Sequence, residues 1–122
     1  MGKLDRQLRN DVDAQWEGNE EILMIQTPVP TIKPDGDTFY TMGTKGMADS
    51  HFCLSVIVTP QMVGKRIGVF GALERKTPND RLQPHQRRYL SKVAELGGIA
   101  AVVRKGEDSK IAVEEWRRKM EG

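Results

Sequence analysis

Asp49, Glu74 and Lys76 are the residues of this chain whose types and spacing best suit chemistry. Glu74 and Lys76 stand two apart in an apolar, β-branched run at residues 66–76, RIGVFGALERK, so strand geometry puts both on one face. A similar run, HFCLSVIVT, fills residues 51–59, and residues 60–65 between them hold a proline and a glycine. Two such runs joined by a short turn read as a β-hairpin. If residues 59 and 66 flank the turn, Asp49 falls opposite Lys76 and His51 opposite Glu74, and opposed residues share a face. A one-residue slip would turn one side away. In this register two carboxylates and an ammonium meet at the open end of the hairpin.

Asp and Glu oxygens are hard ligands suited to Mg²⁺ or Mn²⁺, with the other positions left to water and phosphate oxygens. Such a site stabilises charge on a phosphate under attack and acidifies water, and a neighbouring ammonium can orient that water or offset the developing charge. The competing reading is a surface salt-bridge cluster, which is common and energetically minor. His51 reads as a structural hydrogen-bonding residue rather than a base.

The elements that must position these residues emerge from the pattern on either side. Leu4, Leu8, Val12 and Trp16 recur at helical spacing across residues 3–16, and Gly18 and Asn19 offer a stop. Residues 21–29 read as a strand bounded by prolines, and residues 30–46 as loop with a short strand around 38–42. Both hairpin strands carry little polar surface, which suits the centre of a sheet covered on both faces. Pro84 fits the first turn of a helix running to about Leu96, where Gly97 and Gly98 stop it. Residues 99–104 (IAAVVR) read as a buried strand, and Ser109 as the cap of a last helix through Met120. The expected fold class is α/β: a single mixed sheet with a central β-hairpin, flanked by helices, in one domain spanning residues 1–122.

Composition limits the alternatives. The chain has 122 residues, 38% of them hydrophobic, enough for one ordinary core. The single cysteine, Cys53, excludes an internal disulfide and a cysteine-built zinc site. No apolar run approaches a membrane span and no signal-peptide pattern opens the chain, so the expected setting is cytoplasmic and no membrane partner is expected. Net charge is only +2, but residues 81–92 hold Arg81, Arg87, Arg88 and Lys92 without an acid. That cluster reads either as a phosphate-backbone footprint or as a solvated helix face. Lys45, beside Thr44 in the loop before Asp49, is a further candidate for backbone contact.

The segment from Gly46 to Val103 resembles the VRR-NUC family of the PD-(D/E)XK nuclease superfamily. Gly46-Met47-Ala48-Asp49 is similar to the family's Gly-x-Pro-Asp motif, and Glu74-Arg75-Lys76 to its Glu-x-Lys strand end. The Leu82–Gln86 stretch, running into Leu96-Gly97-Gly98 and the apolar strand Ile99 to Val103, is similar to the family's next helix and strand. Ala48 stands where the family has proline, a departure that removes no ligand.

The resemblance implies a restriction-endonuclease-like core and a Mg²⁺- or Mn²⁺-dependent endonuclease cleaving DNA. Asp49, Glu74 and the backbone carbonyl of Arg75 would hold metal, Lys76 would position or activate water, and Gln86 would support the site. A further metal-holding acid is implied on the first helix, with Asp5 the candidate by position and Asp11 and Asp13 as rivals. Each of these acids also reads as a solvated helix residue.

The resemblance further implies a phage setting, hence a host cytoplasm, and a homodimer acting on branched DNA such as Holliday junctions. Leu4, Leu8, Trp16, Ile111 and Trp116 offer an interface, or else cover the sheet. The rival functions are a flap, end or restriction-like nuclease, a catalytically silent nucleic-acid-binding module using residues 81–92, and a protein-interaction domain.

Overall fold

The computed structural model describes residues 2–26, 48 and 50–122. The chain divides into two compact units, Met1–Phe52 and Cys53–Gly122. The described residues make a mixed α/β architecture of three α-helices and two small sheets of two strands each.

In the first unit, helix α1 spans Lys3–Gln15, close to the extent its apolar spacing predicts. None of its residues is buried; Leu4 and Leu8 are largely exposed, and Val12 and Asp13 are half-buried. Strand β1 (Ile22–Gln26) pairs with β2 (Ser50–Leu54), of which residues 50–52 belong to this unit, in one two-stranded sheet. The short strand expected around 38–42 lies outside the described residues.

The second unit is built around a parallel crossover. Strand β3 (Gly71–Arg75) leads through helix α2 (Pro84–Glu95) to β4 (Ile99–Val103), which lies parallel to β3 with Gly71 opposite Ile99 and Arg75 opposite Val103. A parallel pair needs such a connection, because a tight turn cannot reverse the chain twice. Helix α3 (Gly106–Glu121) completes the unit and packs on β4. Val93 of α2 is fully enclosed, and Val103 and Cys53 are buried in the same unit.

The expected hairpin is not among the described strand pairings. Residues 55–59 and 66–70 join no ladder, β2 stops at Leu54, and β3 takes β4 as its partner. Val56, Ile57 and Val58 are exposed to 52%, 90% and 56%. The β-branched run past Leu54 therefore forms no strand among the described elements, and these three side chains are exposed. The connection between the runs is a 3-10 turn at Pro60–Met62 followed by Gly64 at φ +83°.

Two ends in this unit fix the site. Helix α2 starts with Pro84 at its first position, where a missing N–H costs nothing. It ends in a Schellman turn: Gly98 N–H donates to Val93 O at 3.0 Å and Gly97 N–H to Ala94 O at 3.0 Å, with Gly97 at φ +96°. Gly98 is required for a second reason. A Cβ there would stand 2.7 Å from Phe70 O and 2.9 Å from Val93 Cγ1. That close approach lets Ile99 N–H reach Phe70 O at 2.9 Å and set the β3–β4 register.

The start of α3 differs from the expected Ser109 cap. Lys105 is the cap position, and the Asp108 carboxylate accepts the N–H groups of Arg104 (2.9 Å) and Lys105 (3.2 Å). Ser109 lies inside the helix and donates its hydroxyl to Gly106 O at 2.7 Å. Asp108 wins because an ionised acceptor bonds backbone N–H groups more strongly than a hydroxyl.

Candidate active site

Glu74 is the point on which the described site residues meet. The backbone bonds at Phe70 and Lys76 show that even-numbered residues along β3 turn their backbone groups toward β4: Phe70 O accepts from Ile99 and Lys76 N–H donates to Val103 O at 3.0 Å. Side chains alternate across the same strand, so Ala72, Glu74 and Lys76 share one face, as the two-residue spacing predicts. Lys76 Nζ stands 3.6 Å from Glu74 Oε1, and its side chain is only 13% exposed against 32% for Glu74. The lysine is therefore held beside the carboxylate rather than solvated.

Gln86 closes the cluster from α2. Its Nε2 donates to the same Glu74 Oε1 at 2.7 Å, while its Oε1 accepts the backbone N–H of Gln83 at 2.9 Å. One amide thus caps the first turn of its own helix and fixes the rotation of a carboxylate twelve residues earlier. Both ends of the amide are engaged, so its orientation is determined by the network.

The turn that leaves β3 is fixed as firmly. Thr77 donates to Asp80 Oδ2 through its hydroxyl at 2.7 Å and through its N–H at 3.3 Å, and Asp80 N–H returns to Thr77 O at 3.1 Å. The Thr77 hydroxyl, then its N–H, hold the exposed Asp80 carboxyl below the usual carboxylate range, and the Lys76 and Arg104 charges act in the same direction. Arg104, just past β4, donates from Nη1 to Thr77 O at 2.7 Å and to Asp80 O at 3.2 Å. Neither Asp80 nor Arg104 is among the site residues that the sequence pattern singles out.

The oxygen donors suit a hard divalent cation. Among the described residues Glu74 Oε2 accepts no hydrogen bond, since Gln86 and Lys76 both address Oε1. By ladder alternation the carbonyl of Arg75 turns away from β4, toward the other edge of β3. One carboxylate and one carbonyl, completed by water and phosphate oxygens, is a chemically fitting set for Mg²⁺ or Mn²⁺. Among the described residues no group of three or more His, Cys, Asp or Glu converges in a way that would hold a metal.

Asp49 and Lys45 lie outside the described residues. Asp5 is exposed in the first turn of α1, in the first unit. Its rival Asp13 borders an open groove of about 430 Å³ together with Asn10, Trp16, Glu17 and Met24. Arg81, Arg87 and Arg88 are exposed, Arg81 just before α2 and the other two within it. His51 is half-buried on β2. Tyr89 of α2 is 39% exposed, and its hydroxyl pKa is raised by burial first and by the Cys53 charge second. Trp116 is half-buried and donates its indole N–H to Gly97 O at 2.9 Å, tying α3 to the end of α2.

No helix among the described residues is long and apolar enough to cross a membrane. Residues 53–106 match the VRR-NUC domain, the family that the Glu-x-Lys strand and the glutamine-bearing helix resemble, and a nuclease-type domain. The match spans β3, α2 and β4, and so contains Glu74, Lys76 and Gln86. No curated protein and no solved structure matches the chain.

Proposed function

We propose, from a VRR-NUC segment whose Glu74, Lys76 and Gln86 are in contact, that this chain is a Mg²⁺- or Mn²⁺-dependent endonuclease hydrolysing DNA phosphodiester bonds. The observation that carries the reading is the convergence of the Lys76 ammonium and the Gln86 amide on one oxygen of Glu74, within the segment that matches the family. In this reading residues 1–122 act as one nuclease domain with a restriction-endonuclease-like core.

Glu74 and the Arg75 carbonyl would hold the divalent ion, with Asp49 as the second carboxylate and Asp5 as a further candidate. When bound, the ion supplies Lewis-acid stabilisation of the phosphate and lowers the pKa of water. Gln86 keeps the Glu74 carboxylate from rotating, so Oε2 is presented in one direction. Lys76 places its ammonium beside that carboxylate, where it orients a water for in-line attack and offsets negative charge as it develops on phosphorus-bound oxygens. A positioned ammonium in a half-buried site acts more strongly than a solvated one, because less water screens it. Lys45, Arg81, Arg87 and Arg88 supply backbone contacts that fix the duplex without reading its sequence.

The substrate proposed is branched DNA of the four-way-junction kind, cut by a homodimer in a host cytoplasm. Symmetric cutting of two strands needs two centres related by a two-fold axis, and homodimers commonly supply one. Exposed Leu4, Leu8 and Ile111 are available for such an interface, whereas Trp116 already serves its own protomer.

The test is cleavage of linear, nicked, flapped and four-way DNA with Mg²⁺ or Mn²⁺, by the wild type and by Glu74→Ala and Lys76→Ala. Both variants should be folded by circular dichroism and inactive, and EDTA should silence the wild type. Cleavage by either variant, or in EDTA, rejects the assignment. Light scattering that gives a mass near the 13.7 kDa monomer, with and without junction DNA, would remove the junction reading and leave a flap or end nuclease.

A further inference from the structure

We infer that Arg104 and Asp80 are positioning residues that lock the connection between β3 and α2, so that Lys76 and Gln86 meet on Glu74. The role assigned to the trio rests on the nuclease reading above; the clamp itself rests on geometry. Lys76 is the last residue tied to the ladder, through its N–H to Val103 O at 3.0 Å. From there the chain must turn and deliver Gln86 back to the same carboxylate.

Three bonds hold that turn from within, all between Thr77 and Asp80. Two more hold it from outside, both from Arg104 Nη1, to Thr77 O and Asp80 O. The residue before Arg104, Val103, carries the carbonyl that anchors Lys76, so one short stretch at the end of β4 holds the lysine backbone and the turn after it. Arg104 cannot easily drift, because its own N–H is fixed by Asp108 at the start of α3. A guanidinium suits this role, since its planar donors fit two carbonyls and it stays charged at any working pH.

Without the clamp the turn would still close through Thr77 and Asp80, but its distance from β4 would no longer be set. A small displacement of a positioned group is costly to a reaction that depends on geometry. The loss should therefore fall on the chemical step and not on DNA affinity.

The experiment compares wild type, Arg104→Ala, Arg104→Lys and Asp80→Ala in three measurements. These are single-turnover cleavage at saturating DNA and Mg²⁺, DNA affinity by fluorescence anisotropy, and the NMR signals of the Gln86 side-chain amide. Arg104→Ala should slow cleavage at least about tenfold with DNA affinity unchanged. Arg104→Lys should recover part of the rate, since an ammonium can still donate to both carbonyls. The Gln86 amide signals should move in Arg104→Ala while the Trp116 indole signal stays in place. Asp80→Ala, at an exposed position, loosens the same turn from its other side and should lower the rate likewise; it decides the matter should Arg104→Ala fail to fold.

Weakened DNA binding with an unchanged rate at saturation would overturn the proposal and make Arg104 a phosphate contact. Unmoved Gln86 signals in both the Arg104→Ala and Asp80→Ala variants would overturn it as well. A wild type that cleaves nothing, with Gln86 signals that still move in Arg104→Ala, would support the clamp and reject the nuclease reading.

Discussion

Replacing Gln86 tests the site and the fold at once, because its amide faces both ways. Gln86→Ala removes the bond to Gln83 N–H at the helix start and the bond to the Glu74 carboxylate. A neutral hydrogen bond contributes about 0.5–1.5 kcal/mol and one to a charged group about 1.5–3 kcal/mol. The first bond is exposed and the second part-buried, so each belongs at the low end, and their sum is about 2 kcal/mol. With a urea slope of about 2 kcal/mol per molar, the unfolding midpoint should fall by about 1 M. Cleavage should fall about 10- to 100-fold, the usual effect of losing a group that orients a metal-holding carboxylate.

Gln86→Glu separates the two functions. It keeps an acceptor for Gln83 N–H and adds a negative charge that the helix N-terminus favours. It also removes the amide donor to Glu74 and sets a second carboxylate against it. The helix start should therefore be kept while cleavage falls at least as far as in Gln86→Ala. An unchanged urea midpoint in Gln86→Ala, with unchanged cleavage, would refute the reasoning.

Three further outcomes are expected. Trp116→Phe replaces the indole by a smaller phenyl ring and loses the N–H bond to Gly97, so it should destabilise by at least about 1 kcal/mol in urea titration; no change would show that the bond is not felt. The Asp108 carboxyl is lowered from 3.8, first by the Arg104 N–H, and Asp80 is lowered by Thr77. Their stabilisation is complete above 3.8 and is lost as pH falls through the lowered values, so the melting-temperature gap between wild type and Asp108→Asn should close in that acid range. A gap that widens in acid would reverse the sign and reject the account. Burial raises the Cys53 thiol pKa, so alkylation at mildly basic pH should be slow until urea unfolds the chain; rapid labelling of the folded protein would contradict that burial.

What the sequence made legible was local. Pro84 and the Gly97-Gly98 pair bracket α2 nearly to the residue, because each acts on backbone conformation where it stands. The shared face of Glu74 and Lys76 comes from strand periodicity alone, and the structure keeps it although the hairpin used to argue it is not among the described pairings. Partner choice was not legible. A strand such as residues 71–75 carries no mark that it will pair with residues 99–103 rather than with the nearer 51–59, since both offer a β-branched surface. Arg104 was missed for the same reason: its acceptors are backbone carbonyls 24 and 27 residues earlier, and carbonyls have no signature in a sequence. Gln86 was named from the family resemblance, and only the structure supplied its two hydrogen bonds, accepted from Gln83 N–H and donated to Glu74.

The hydrogen-sized gap at Gly98 has a genetic consequence. Every single-base change in a glycine codon that swaps the residue for another adds a Cβ, and here that atom would meet the Phe70 carbonyl and the Val93 side chain. The position therefore has no neutral neighbour one substitution away. Drift can reshape the exposed faces of α2 and α3 residue by residue, but no side-chain change at Phe70 or Val93 frees Gly98, because the nearest atom is a backbone carbonyl at 2.7 Å and a second carbonyl stands at 3.2 Å. A saturation library should show Gly98 as a column of uniform loss, and Val93→Ala, which removes only the Cγ1, should not rescue it.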